Sequence, residues 1–177
     1  MSTAFKNVLE SLPVLLEETK RRYTNFVSEA EHVGINFSNK QSSEHLSAIL
    51  ESVIQKFCPG AVAPKKDSEP DVIVDGIPVE IKTTSGDQWR GGAYSKRPGY
   101  YLLLSWEASG CDLNLFCAGL NLKEKDWAGG NTNNYYATSF GKKQLLEKIR
   151  NNEVELFMGS VNAYERGKKE CIKLERV

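Results

Sequence analysis

The dipeptide Asp75-Gly76 stands between two aliphatic, mostly β-branched runs, Val72-Ile73-Val74 and Ile77-Pro78-Val79-Glu80-Ile81. Both central residues of the tightest hairpin turn need positive φ, which Asp and Gly tolerate, so the pattern predicts a two-residue β-hairpin. In that hairpin Val74 faces Ile77, Ile73 faces Pro78, Val72 faces Val79 and Asp71 faces Glu80. Directly opposed residues share a face, with Cβ atoms about 5 Å apart. One face then collects Val72, Val74, Ile77, Val79 and Ile81, and the other carries Asp71, Glu80 and Lys82. A slip of one residue would mix the two sets, so the clean separation fixes the register.

Two carboxylates held that close repel unless positive charge lies between them. A divalent cation meets the need, and hard oxygen ligands with open positions favour Mg²⁺. Lys82 shares the face because residues i and i+2 of a strand point the same way, and there it can orient or deprotonate a metal-bound water. The plainer alternative is that all three are solvated polar residues on the outside of a hairpin.

The chain of 177 residues is 40% hydrophobic and 26% charged, which describes one ordinary globular domain with a real core. Lys plus Arg and Asp plus Glu each number 23, so bulk positive charge cannot be what holds a nucleic acid. Four scattered cysteines without a CxxC pair argue for reduced core thiols rather than a zinc site or disulfide framework. Two histidines, His32 and His45, leave little from which to build a histidine nuclease, a zinc hydrolase or a Ser-His-Asp enzyme, and carboxylate chemistry remains. No apolar stretch approaches the roughly 20 residues of a membrane span and no signal region opens the chain, so no membrane partner and a cytoplasmic location are expected.

Helical spacing of Phe5, Val8, Leu9, Leu12, Leu15, Leu16, Tyr23, Phe26 and Val27 predicts helix from Ala4 to about Val33, kinked or divided at Pro13. A second helix, capped by Ser42 or Ser43, runs to Phe57 and ends at Cys58-Pro59-Gly60. After the hairpin come a Gly-rich polar loop over 85–99, two buried strands in "YYLLLSW" and "LNLFCAGL", a Gly/Asn loop, a short helix from Phe140 to Asn151, and strands in "VELFMGS" and "CIKLERV". This order predicts an α/β or α+β fold with a mixed central sheet flanked by helices.

Pro70-Asp71, eight residues, then Glu80-Ile81-Lys82 resembles the signature of the PD-(D/E)XK nuclease superfamily, and the chain's size and the polar loop after the motif resemble a type II restriction endonuclease. The resemblance implies an αβββαβ core over residues 42–160, with an N-terminal helical region over 1–41 and a C-terminal strand over 161–177 lying outside it. It implies a Mg²⁺-dependent, sequence-specific endonuclease acting on double-stranded DNA. Asp71 and Glu80 would ligate the metal with the backbone carbonyl of Ile81, Lys82 would stand beside the attacking water, and Glu44 or Glu51 would supply a further helix carboxylate. Gln88, Arg90, Lys96 and Arg97 in the first loop are the candidate DNA contacts, since Gln and Arg suit adenine and guanine edges and Lys or Arg also meets phosphate. Asn131, Asn133 and Asn134 in the second loop are further candidates, while Trp89, Tyr94 and Tyr135 read best as packing residues. Palindromic recognition implies a homodimer, with the N-terminal helices as candidate interface. A Holliday-junction resolvase or a repair nicking nuclease would share the site, and a non-catalytic DNA-binding protein is the alternative of a different class.

Overall fold

A computed structural model describes residues 2–64, 70–91, 98–109, 112–129, 138–154, 156–165 and 168–175. Lys96, Arg97, Asn131, Asn133 and Asn134, with Tyr94, Tyr135 and Cys111, lie outside them.

The predicted N-terminal helix is two helices, α1 (Thr3–Glu10) and α2 (Leu12–His32). Pro13 falls in the first turn of α2, where its missing N–H breaks no helical bond. The helix α3 (Asn39–Phe57) starts earlier than expected: Ser38, not Ser42 or Ser43, is its N-cap, accepting from the Gln41 amide while the Gln41 side chain accepts from the Ser38 amide. Ser42 is buried inside the helix, and Ser43 Oγ accepts from Trp106 Nε1 at 2.9 Å.

The predicted hairpin forms as β2 (Val72–Val74) and β3 (Ile77–Thr84), with Val72, Ile73 and Val74 opposite Val79, Pro78 and Ile77. Asp75 and Gly76 take φ of 49° and 77°, as the turn requires. Pro78 lies one residue before β3 begins its ladder with β5 (Gly99–Ser109), so its missing donor costs no bond on that side. With β1 (Ala61–Val62), β6 (Asp112–Leu122), β8 (Leu156–Glu165) and β9 (Lys168–Glu175) these strands form one sheet of order β1-β2-β3-β5-β6-β8-β9. The β3–β5 pairing is parallel and the others antiparallel, which makes the sheet mixed and the fold α+β. The strand β8 runs through position 160, where the core region is expected to end.

A second sheet of two strands, β4 (Gln88–Arg90) and β7 (Ser139–Gly141), replaces part of the expected loop and the first turn of the expected helix. Trp89 and Phe140 pair across it and both are fully buried, so Phe140 is a strand residue and α4 spans Lys142–Arg150 only. Burial of this non-local pair overrides the helical spacing that Phe140 shares with Leu145 and Leu146.

The strands β5 and β6 are covered on both sides. Leu102, Leu104, Trp106 and Cys117 join Val72, Val74, Val79 and Ile81 in a core under α1, α2 and α3. Tyr101, Leu103, Phe116 and Ala118 join Trp89, Trp127, Phe140 and Leu145 on the other side, under β4, β7 and α4. Phe5, Val8, Leu9, Leu12 and Leu15 of the N-terminal helices belong to the first core, so the stripe that made those helices a candidate dimer contact is buried within the chain. Each aliphatic side chain so removed from water contributes about 1.5–3 kcal/mol.

Because the hairpin turn sets the register of β3, it can be tested by itself. Gly76→Val forces a β-branched residue to positive φ at a cost of about 1–3 kcal/mol. The expected fall in melting temperature is roughly 2–4 °C per kcal/mol, read by circular dichroism. An unchanged midpoint would contradict the turn.

Candidate active site

On the face of β3 away from the three helices, the hairpin presents Glu80 and Lys82, and the parallel register sets Glu80 beside Tyr101 and Lys82 beside Leu103. Asp71 precedes β2 and extends the pairing by its side chain: Asp71 Oδ2 accepts from the Ile81 amide at 2.6 Å. That bond holds the aspartate against the strand carrying the other two groups. Ile81 between them belongs to the helix-side core.

The solvated reading fails at Glu80, which is only 3% exposed. Its Oε1 accepts from Lys82 Nζ in a close ion pair, and its Oε2 is buried without a hydrogen-bond partner. Leaving a buried carboxylate oxygen unpaired costs on the order of 1–3 kcal/mol, so Oε2 has an acceptor position in want of a cation or donor.

The two helix carboxylates separate clearly. Glu44 lies on the exposed side of α3, 3.7 Å from Lys40. Glu51 is the one whose charge is felt at the site: its pKa is raised to about 7, first by burial, then by the neighbouring Asp71 charge and, more weakly, that of Glu80, with a Ser47 hydroxyl bond opposing. The Ser47 hydroxyl lies 3.5 Å from Glu51 Oε1. Burial likewise raises Glu80 to about 7, against the Lys82 charge and with the Asp71 charge adding to the rise. Burial also raises Asp71, opposed by the Ile81 amide and Lys82. Burial is the leading cause at all three carboxyls, and the Asp71 charge adds to the rise at Glu51 and Glu80, an arrangement that favours positive charge nearby.

The donors fit Mg²⁺ by chemistry, being hard oxygens with one left orphaned. Among the described residues no three His, Cys, Asp or Glu side chains form a ready-made metal cage. Mg²⁺ commonly takes only one or two carboxylates and completes its shell with water and substrate phosphate, so no such cage is required.

Gln88 and Arg90 occupy β4 rather than a loop, both exposed on either side of the buried Trp89. They are joined to the end of β3 by the Thr84 hydroxyl, which donates to the Gln88 carbonyl at 2.8 Å. Sequence reasoning did not single out Ser47 or Lys142. Lys142 opens α4 almost fully buried; burial lowers its pKa while the charges of Glu107 and Asp87 raise it. Its amide donates to the Asp87 carbonyl at 2.9 Å, tying α4 to the segment after β3. Its pairing with Lys143 suggests only a solvated helix start, and no local signal marks the burial.

Glu51 and Glu80 bind a proton more tightly in the folded chain than at their ordinary 4.5. Such groups favour folding below the ordinary value, and that contribution is lost as pH rises through the folded value. In chelating buffer the melting temperature therefore falls as pH rises from about 5 to about 8. Glu51→Gln and Glu80→Gln each flatten that slope, as differential scanning fluorimetry across the pH series would show; an unchanged slope in both would contradict the shared burial of the two carboxyls.

No protein-family model matches the chain and no curated protein matches it, so no residue of the site inherits a role from a relative.

Proposed function

We propose that the chain is a Mg²⁺-dependent endonuclease that hydrolyses phosphodiester bonds in double-stranded DNA at specific sequences, with a restriction-endonuclease-like core. The observation that carries the reading is the Asp71-Glu80-Lys82 constellation on one hairpin, Glu80 buried and the other two half-buried, with Glu51 brought to it from α3. The sequence of α3, β2, β3, β5, α4 and β8 is compatible with an αβββαβ plan, although more strands stand between α3 and α4 than that plan contains. A site-specific enzyme of this kind would act as a homodimer on a palindrome.

Asp71 and Glu80 would hold the metal, with the Ile81 carbonyl as a further ligand and Glu51 as the helix carboxylate. When bound, Mg²⁺ would supply positive charge to a metal-bound water and to the oxygens that become negative in the transition state. The chain's own groups do the rest. Glu80 Oε2 offers the free lone pairs. Lys82, now paired with Glu80, stands where an ammonium can orient the attacking water and meet the scissile phosphate. Glu51 would contribute the helix carboxylate, its ionisation held back by burial until positive charge is near. Asp71, fixed through Oδ2 by the Ile81 amide, would leave Oδ1 to hold the metal. Gln88 and Arg90 project from a strand anchored by Trp89, which suits direct reading of bases better than a free loop does.

Incubation with mixed-sequence plasmid DNA and Mg²⁺ should give discrete bands, abolished by EDTA. A smear would indicate a nonspecific nuclease, cutting confined to four-way junctions a resolvase, and absence of cutting a non-catalytic binder. Glu80→Ala and Lys82→Ala should each lower the cleavage rate by at least about 100-fold, whereas Glu44→Ala should not change it. If both site variants cut as well as the wild type, the active site lies elsewhere.

A further inference from the structure

A cleft of about 240 Å³ opens between the C-terminal half of α2 and the paired ends of β5 and β6. Its floor is apolar, made by the buried Tyr23 and Leu113 with the half-buried Val27. Its rim is polar. Thr24, Ser28 and Glu31 follow one another at helical spacing along α2, Asp112 stands on the β6 side, and all four are exposed.

The cleft carries uncompensated negative charge. Neither Glu31 nor Asp112 enters an ion pair with a described residue, and none of the described residues lining the cleft is a lysine, arginine or histidine. The next hollow along α2, of about 200 Å³, shares Leu113 but sets Lys20 beside Glu17. The excess of acid is therefore confined to the first.

A separate observation concerns Tyr23. Only 7% of the residue is exposed, yet its hydroxyl has no hydrogen-bond partner among the described residues and is not sealed from solvent. A tyrosine buried so deeply ordinarily finds a partner for its O–H. Lining the cleft as it does, Tyr23 offers that hydroxyl to whatever enters.

Two carboxylates on opposite walls, three hydroxyls and an apolar floor complement a short aliphatic chain with an ammonium at each end. The N–H groups meet carboxylate and hydroxyl oxygens in charge-assisted bonds, and the methylenes cover Leu113 and Val27. A bare metal ion suits the cleft poorly, since the floor gives it no ligand and the described residues hold no cluster of three metal-binding side chains. A lysine side chain brings one cationic end where the cleft has two acids.

We propose that this cleft binds a small aliphatic diamine, held at its ends by Glu31 and Asp112 with Tyr23 beneath it. The site shares no residue with the Asp71-Glu80-Lys82 hairpin and does not rest on the nuclease reading. Isothermal titration calorimetry with 1,4-diaminobutane, at about 0.15 M salt to suppress loose counterion binding, is the measurement. Saturable single-site binding is expected, with a Kd on the order of 1 mM or tighter for a ligand of about six non-hydrogen atoms. The uncharged 1,4-butanediol should not bind, and Nα-acetyl-lysine amide should bind at least about tenfold more weakly. Glu31→Gln and Asp112→Asn should each weaken diamine binding about tenfold and Tyr23→Phe about threefold, whereas Glu44→Gln should leave it unchanged. Should Tyr23→Phe melt lower than the wild type, the two carboxylate variants, at exposed positions, decide the matter.

Absence of saturable binding, equal binding of the diol or of the lysine amide, or unchanged affinity in both carboxylate variants overturns the site. Displacement of the diamine by an equal concentration of Mg²⁺ overturns it too, because the cleft would then be a cluster of acids that holds any cation. None of these results bears on the nuclease reading, which stands or falls on Mg²⁺-dependent cutting by the wild type.

Discussion

Burying Glu80 is the constraint around which the site is arranged. A carboxylate taken out of water costs several kcal/mol, and a lysine partner in a low-dielectric setting repays that only when the remaining lone pairs are satisfied. In β3 they are not: Lys82 takes one oxygen and the other is orphaned. An aliphatic pair at these two positions would serve the fold as well or better, because the strand already buries Val79 and Ile81 on its other side. Stability therefore gives no reason for Glu80 and Lys82 to be where they are, and the surrounding structure supplies the free energy that keeps them there.

That supply comes from the two-sided packing of β5 and β6. A strand covered on one side only could twist or slip to bring a costly charge back to water. With leucines packed on both sides of β5, the ladder to β3 has a single register, and Glu80 is fixed beside Tyr101, whose ring packs 5.4 Å from that of Trp127. The side chains that look most remote from any chemistry are those that make the site rigid. Rigidity is what the proposed metal-assisted reaction would need from its scaffold, since misplacement by an ångström is costly.

Legibility in the sequence followed the range of the interaction. The Asp75-Gly76 turn and the faces of β2 and β3 could be read because turn geometry and alternation are local, and the division of the N-terminal helix at Pro13 is local too. The start of α3 was also written locally, as Ser38-Asn39-Lys40-Gln41, a capping box hidden by placing the cap nearer the apolar run beginning at Leu46. The β4–β7 pair could not be read: three-residue strands about fifty positions apart carry no period of their own, and only tertiary burial of Trp89 and Phe140 decides them. Glu44 and Glu51 look alike in sequence, both off the apolar stripe of α3. The path of α3 past the hairpin separates them, leaving one with Lys40 in solvent and the other with the Asp71 charge.

The charge balance gives the proposed reaction an order. Asp71, Glu80 and Glu51 oppose one lysine at the site, so in the ionised state the site is net negative and repels a phosphodiester. With zero net charge over the chain, no general positive field overcomes that repulsion. Duplex binding, on the proposed reading, must then begin at basic positions away from the carboxylates, and the scissile phosphate can settle beside Lys82 only when a divalent cation has offset the acids. Cation and substrate would each lower the cost of bringing in the other.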